Sequence, residues 1–110
     1  NSCKGSTVSG FETLYCPIES KKVAAYGDNY SLAKMVQDEL IKELNAVNRG
    51  VKKRPNLVVL NRTEMPAILV ENGFLSNPED EKLLLDNDYQ DRIAEAISRG
   101  IERYFNEISK

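Results

Sequence analysis

Glu71 has the surroundings of a working carboxylate. Four apolar residues, Ala67-Ile68-Leu69-Val70, lead into it, and Asn72-Gly73-Phe74 follow. If the apolar run is a buried strand, Glu71 stands at its C-terminal end. That is the carboxyl edge of the sheet, where α/β proteins place their sites. Partial desolvation there suits a carboxylate to general-base work. The same position also suits a structural carboxylate that caps the following turn or pairs with a lysine. Glu12 lies in an alternating segment, on the face opposite Phe11, and reads as a solvated strand carboxylate. Arg49 falls in what reads as a helix-ending loop. Its guanidinium fits bidentate recognition of a substrate carboxylate, although surface loops carry arginine routinely.

What is absent narrows the chemistry further. The 110 residues include no histidine. Histidine general acid–base catalysis, Ser-His and Cys-His nucleophile pairs and a His-ligated metal are therefore outside the reach of this chain acting alone. Cys3 and Cys16 are the two cysteines, too few donors for a zinc site. They read either as a disulfide or as two thiols, with Cys16 packed as a small apolar residue. The formal net charge is −2 and the pI about 5.2. The one dense basic cluster, Lys52-Lys53-Arg54, reads as a solvated loop, so no nucleic-acid partner is expected. No glycine-rich phosphate loop is present. No apolar run approaches the roughly 20 residues of a membrane span.

These residues need elements to hold them. Residues 10–16 alternate apolar and polar side chains and read as a strand, stopped by Pro17. Residues 17–28 look irregular. Ser31 is a plausible N-cap for an amphipathic helix carrying Leu32, Met35, Val36, Leu40, Leu44 and Val47. Asn48-Arg49-Gly50 would end that helix, with glycine as its left-handed cap. Leu57-Val58-Val59-Leu60 and Ala67-Ile68-Leu69-Val70 each follow a proline and suit strands buried on both faces. Asn77-Pro78 reads as the start of a short helix with Leu83, Leu84 and Leu85 on its apolar side. A last helix begins near Asp88 and presents Ile93, Ile97, Ile101, Tyr104, Phe105 and Ile108 to the core. The order strand, helix, strand, strand, helix, helix is α/β.

Several segments, in order, resemble the zinc-dependent N-acetylmuramoyl-L-alanine amidases of the Amidase_3 family. Met65-Pro66-Ala67-Ile68-Leu69-Val70-Glu71-Asn72-Gly73-Phe74-Leu75-Ser76-Asn77 is similar to a signature that reads roughly M-P-A-x-L-V-E-x-G-F-x-S-N. Asn48-Arg49-Gly50-Val51-Lys52 is similar to the "N-R-G-V-K" that follows the preceding helix in many members. Gly10-Phe11-Glu12-Thr13 resembles a strand that often reads "G-F-E-T". Asp91-Arg92-Ile93-Ala94 and Gly100-Ile101 resemble the last helix.

The resemblance implies a mostly parallel sheet flanked by helices on both faces. Residues 1–110 would be the C-terminal part of a single amidase catalytic domain. It implies hydrolysis of the amide between N-acetylmuramic acid and L-alanine in bacterial peptidoglycan, with Glu71 as general base and acid. It also implies a zinc cofactor held by two histidines and a glutamate. Asn1-Ser2 matches the end of the segment "S-x-H-A-N-S", so all three ligands would lie upstream of Asn1, on the same polypeptide or a separate chain. Asn1 would then border the metal and, with Arg49, line the substrate path. The implied setting is extracytoplasmic, at the cell wall, for a secreted enzyme or a phage lysin. A sheet lacking its first strands would keep an open edge and an uncovered apolar face. The alternative is a non-catalytic amidase-like module that binds cell-wall peptide or a partner protein.

Overall fold

The computed structural model describes residues 10–16, 29–54, 67–72, 82 and 85–109. The apolar run at 57–60, the short helix expected after Asn77, and Asn1 and Cys3 lie outside them. The described elements are β1 (Phe11–Tyr15), α1 (Asn29–Leu44), β2 (Asn48–Lys53), β3 (Ile68–Asn72) and α2 (Asn87–Ile108).

The three strands form one sheet in the order β2-β1-β3. β1 and β2 run parallel, joined through α1. β3 runs antiparallel to β1, with Phe11 opposite Asn72 and Tyr15 opposite Ile68. The sheet is therefore mixed, where a mostly parallel one was expected. The reason is geometric. Tyr15 pairs with Lys53 and with Ile68, so β3 starts at the end of the sheet where β2 finishes. It can only run back.

Phe11 from β1, Leu32, Val36 and Leu40 from α1, and Ile93, Ala96 and Tyr104 from α2 share one buried cluster. Among the described residues both helices thus serve the same side of the sheet, α1 against the strands and α2 against α1. Leu32, Val36 and Leu40 repeat at four-residue spacing, which puts them on one helical stripe. Burying them supplies much of the fold, at about 1.5–3 kcal/mol per fully buried aliphatic side chain.

The helix ends are displaced from the sequence reading. α1 starts at Asn29, two residues before Ser31, and stops at Leu44. Its left-handed terminal residue is Asn45 (φ 49°), whose N–H donates to the Ile41 carbonyl. Asparagine is one of the few residues that adopt this conformation readily. Asn48, Arg49 and Gly50 are strand residues of β2, and Val47 is exposed. α2 is capped by Asp86, which accepts from the Tyr89 N–H at 3.1 Å. Its buried face is Ile93, Ala96, Gly100 and Tyr104. Ile101 and Phe105, expected in the core, are 38% and 47% exposed.

Candidate active site

β3 is an ordinary strand sequence, Ile-Leu-Val-Glu-Asn, and its alternation decides where Glu71 faces. On β1, Phe11 belongs to the core cluster and the Thr13 hydroxyl donates to Gln37 Oε1 at 2.8 Å. Those side chains point at α1, so Glu12 and Leu14 point to the other face. Residues directly opposite in an antiparallel pair share a face, and Glu71 is opposite Glu12 while Leu69 is opposite Leu14. Glu71 therefore stands on the face turned away from both helices. Ile68 and Val70, on the helix face, pack against the core.

Glu71 and Glu12 are each half-buried. Directly opposed side chains of this kind have Cβ atoms about 4.5–5.5 Å apart. The register thus makes a carboxylate pair out of two residues that are distant in sequence. Among the described residues, no lysine or arginine forms an ion pair with either carboxylate. The lysine-paired reading of Glu71 finds no support among them.

The edge also differs from expectation. Glu71 is at the C-terminal end of its own strand, but β3 is antiparallel. Its end lies where β1 and β2 begin, beside Phe11 and Asn48. The parallel-sheet rule does not apply to this strand. Nor is the apolar run before Glu71 buried on both faces: Leu69, on the face turned away from α1, is 39% exposed. Arg49 is exposed at the start of β2, on the same end of the sheet as Glu12 and Glu71. Topology therefore places Glu71, Glu12 and Arg49 at one end of the sheet, on its three strands, and Asn1 lies outside the described residues.

Two buried amides set this geometry. Gln37 Nε2 donates to the Phe11 carbonyl and to Asn48 Oδ1, both at 2.8 Å, while its Oε1 accepts from Thr13. Asn48 Oδ1 also accepts from the Gly50 N–H at 2.9 Å. At the far end of the sheet, Asn29 Nδ2 donates to the Cys16 carbonyl at 2.7 Å, and Asn29 Oδ1 accepts from the Ala67 N–H at 2.9 Å. Asn29 thus ties the finish of β1 to the approach of β3. A one-residue slip of β3 would turn Glu71 toward the core. The sequence reading missed both amides. Gln37 had a signal, since it sits four residues after Ala33 and three before Leu40 on a buried stripe. Cys16 is buried, as its apolar reading expects.

Among the described residues the donor set does not make a zinc site. The sequence has no histidine, and among the described residues no three His, Cys, Asp or Glu side chains stand together.

Residues 1–103 match the Amidase_3 family model, described as N-acetylmuramoyl-L-alanine amidase. The chain belongs to that family. It is 40% identical, over 82 residues, to the germination-specific N-acetylmuramoyl-L-alanine amidase of Bacillus subtilis (strain 168). That alignment covers 74% of this chain and 35% of the relative. The fold is similar to the crystal structure of N-acetylmuramoyl-L-alanine amidase from Clostridium difficile 630 (TM-score 0.81, 34% identity), covering 96% of this chain and 54% of that one. It is equally similar to the CwlD amidase of Clostridioides difficile, solved in complex with the GerS lipoprotein (TM-score 0.82, 36% identity, 96% and 51% covered). This Amidase_3 chain thus spans about half of the solved amidase chains, and its mixed sheet with two helices is part of their fold. No helix among the described residues is long and apolar enough to cross a membrane.

Proposed function

We propose that this chain carries the general base of a peptidoglycan amidase, Glu71, acting on the amide between N-acetylmuramic acid and L-alanine. The observation that carries the reading is the placement of Glu71. It is half-buried on the face turned away from α1 and α2, at the end of β3, without an ion-pair partner among the described residues, inside the stretch that matches the family. A carboxylate so placed accepts the proton of an attacking water as its oxygen adds to the amide carbon. It then returns that proton to the leaving nitrogen of L-alanine. Arg49, at the same end of the sheet, takes a carboxylate of the stem peptide, and Asn1 borders the substrate path.

Without histidine, and with no cluster of donors among the described residues, this chain does not fit the zinc site that the resemblance implies. The ion that the family resemblance implies is assigned to residues preceding Asn1, on the same polypeptide or a separate chain. When bound, it would polarise the scissile carbonyl. The domain reading follows: residues 1–110 are the C-terminal part of one catalytic domain, working outside the cytoplasm on the cell wall, as a secreted enzyme or a lysin.

The test is Glu71→Gln in the protein as its gene encodes it. Release of L-alanine-linked peptide from purified peptidoglycan should fall at least about a hundredfold, in line with general-base contributions of roughly 10²–10⁴. Turnover within a fewfold of the unmodified protein would remove Glu71 from the mechanism. The second reading, a non-catalytic module holding cell-wall peptide or a partner protein, rests on the lack of histidine. It predicts no turnover in either protein.

A further inference from the structure

The ladder between β1 and β2 is interrupted at Arg49. Phe11 pairs with Asn48 and Thr13 with Val51, so a single residue of β1, Glu12, stands against two of β2, Arg49 and Gly50. That arrangement is a β-bulge. Gly50 has φ 85°, a conformation that glycine adopts without a Cβ penalty. Bulges of this kind re-aim side chains next to functional sites.

Hydrogen bonds on the helix side hold the bulge. Asn48 Oδ1 accepts from Gln37 Nε2 of α1 at 2.8 Å and from the Gly50 N–H at 2.9 Å. Asn48 therefore joins the two flanks of Arg49 and anchors them to a buried amide. Because the Asn48 side chain meets α1, the next residue along the strand faces the other way. Arg49 is thus directed to the face that Glu12 and Glu71 occupy. Val51, the partner of Thr13, is back on the helix face. In a regular strand, residues 48 and 51 would face opposite ways, and the extra residue Gly50 absorbs the difference. Glu71, Glu12 and the exposed Arg49 form a row across the three strands. Two strand spacings separate its ends, roughly 10 Å, which an extended peptide covers in about three residues.

We propose that Asn48 is a positioning residue for substrate selection. By fixing the bulge it holds Arg49 on the face of Glu71. There the guanidinium selects peptidoglycan fragments that keep a free stem carboxylate within about three residues of the cleaved amide. A carboxylate accepts two parallel hydrogen bonds from arginine, whereas a carboxamide has one oxygen acceptor and presents N–H donors beside it. The inference rests on the proposed function for its substrate, but its test reads binding and not turnover.

That test is equilibrium binding of two muropeptides to the Glu71→Gln protein as its gene encodes it. The two differ only in whether that stem carboxylate is free or amidated. The free form should bind about tenfold or more tighter, as a charged hydrogen-bonded pair does. Arg49→Ala and Asn48→Ala, each on the same background, should bring the ratio of the two Kd values close to one. A general loss of stability would weaken both fragments alike and keep the ratio, so a ratio kept in Asn48→Ala would overturn its positioning role. Equal binding of the two fragments before either change would overturn the selection itself. Turnover lost on Glu71→Gln together with equal binding would leave the catalytic reading standing alone. Turnover unaffected by Glu71→Gln, with tighter binding of the free form, would remove the base and leave the selection.

Discussion

Glu71 and Glu12 acquire meaning as single residues only through the strand register that opposes them. Neither has a guanidinium or ammonium partner among the described residues. The acidic side chains of α1 stand in contrast. Glu39, with a side chain only 6% exposed, accepts from Arg103 at 2.9 Å and lies 3.4 Å from Arg99. Glu43 accepts from Arg92 Nε at 3.1 Å and from Arg99 at 2.6 Å. Those hydrogen bonds, from Arg92 first and then Arg99, hold the Glu43 carboxyl below its ordinary value of 4.5. A carboxyl depressed in the folded state stabilises the fold above its unfolded value, and the contribution is lost as pH falls through the folded one. Acidification from about pH 5 to about pH 3 should therefore lower Tm, in part through Glu43. Glu43→Gln should have a lower Tm at neutral pH and a shallower decline over that window. An unchanged acid slope in thermal unfolding would show that the pair with the arginines does not couple to folding.

At the scale of elements, the crossing of α1 and α2 depends on Gly100. A Cβ at that position would meet Val36 Cα at 2.5 Å and Val36 Cγ2 at 2.9 Å. The backbone of α1 cannot yield as a flexible side chain would. Gly100→Ala should cost about 1–3 kcal/mol by overpacking, or a Tm lower by several degrees at roughly 4–8 °C per kcal/mol. A Tm within one degree of the unmodified chain would mean that the helices can separate there without loss. The stripe on α2 explains why the sequence misled. Large apolar residues at 93, 97, 101, 104, 105 and 108 suggest a broad core face, but the close contact runs through Ala96 and Gly100. Small residues let helix backbones approach, and hydrophobic periodicity gives them little weight. The residues left over, Ile101 and Phe105, are the ones found half-exposed.

For the whole molecule, the donor set among the described residues falls short of the zinc chemistry that the family resemblance implies. Zinc bound for catalysis takes three protein ligands and a water, and histidine is missing from all 110 residues. Elemental analysis should find no zinc on the 110-residue chain and about one per molecule on the protein as its gene encodes it. Glu71→Gln should leave that value unchanged, since Glu71 is placed as a base and not as a ligand. One zinc on the 110-residue chain would overturn the assignment of the ligands to residues before Asn1.

Sequence alone determined much of this chain. The periodicity of Leu32, Val36 and Leu40 set α1, and the alternation around Phe11 and Glu12 set β1 with Glu12 away from the core. The apolar lead-in to Glu71 marked the candidate base, and the lack of histidine ruled out a His-ligated metal held by this chain alone. These are local properties, written in spacing and residue type. Tertiary structure decided the direction of β3, the pairing of Glu12 with Glu71, the placing of Arg49 at the same end of the sheet, and the roles of Gln37 and Asn29. Each of these depends on which distant backbone a residue meets. A strand has the same alternation whether its neighbour runs parallel or antiparallel, so its own residues cannot say which edge of the sheet its last carboxylate will reach.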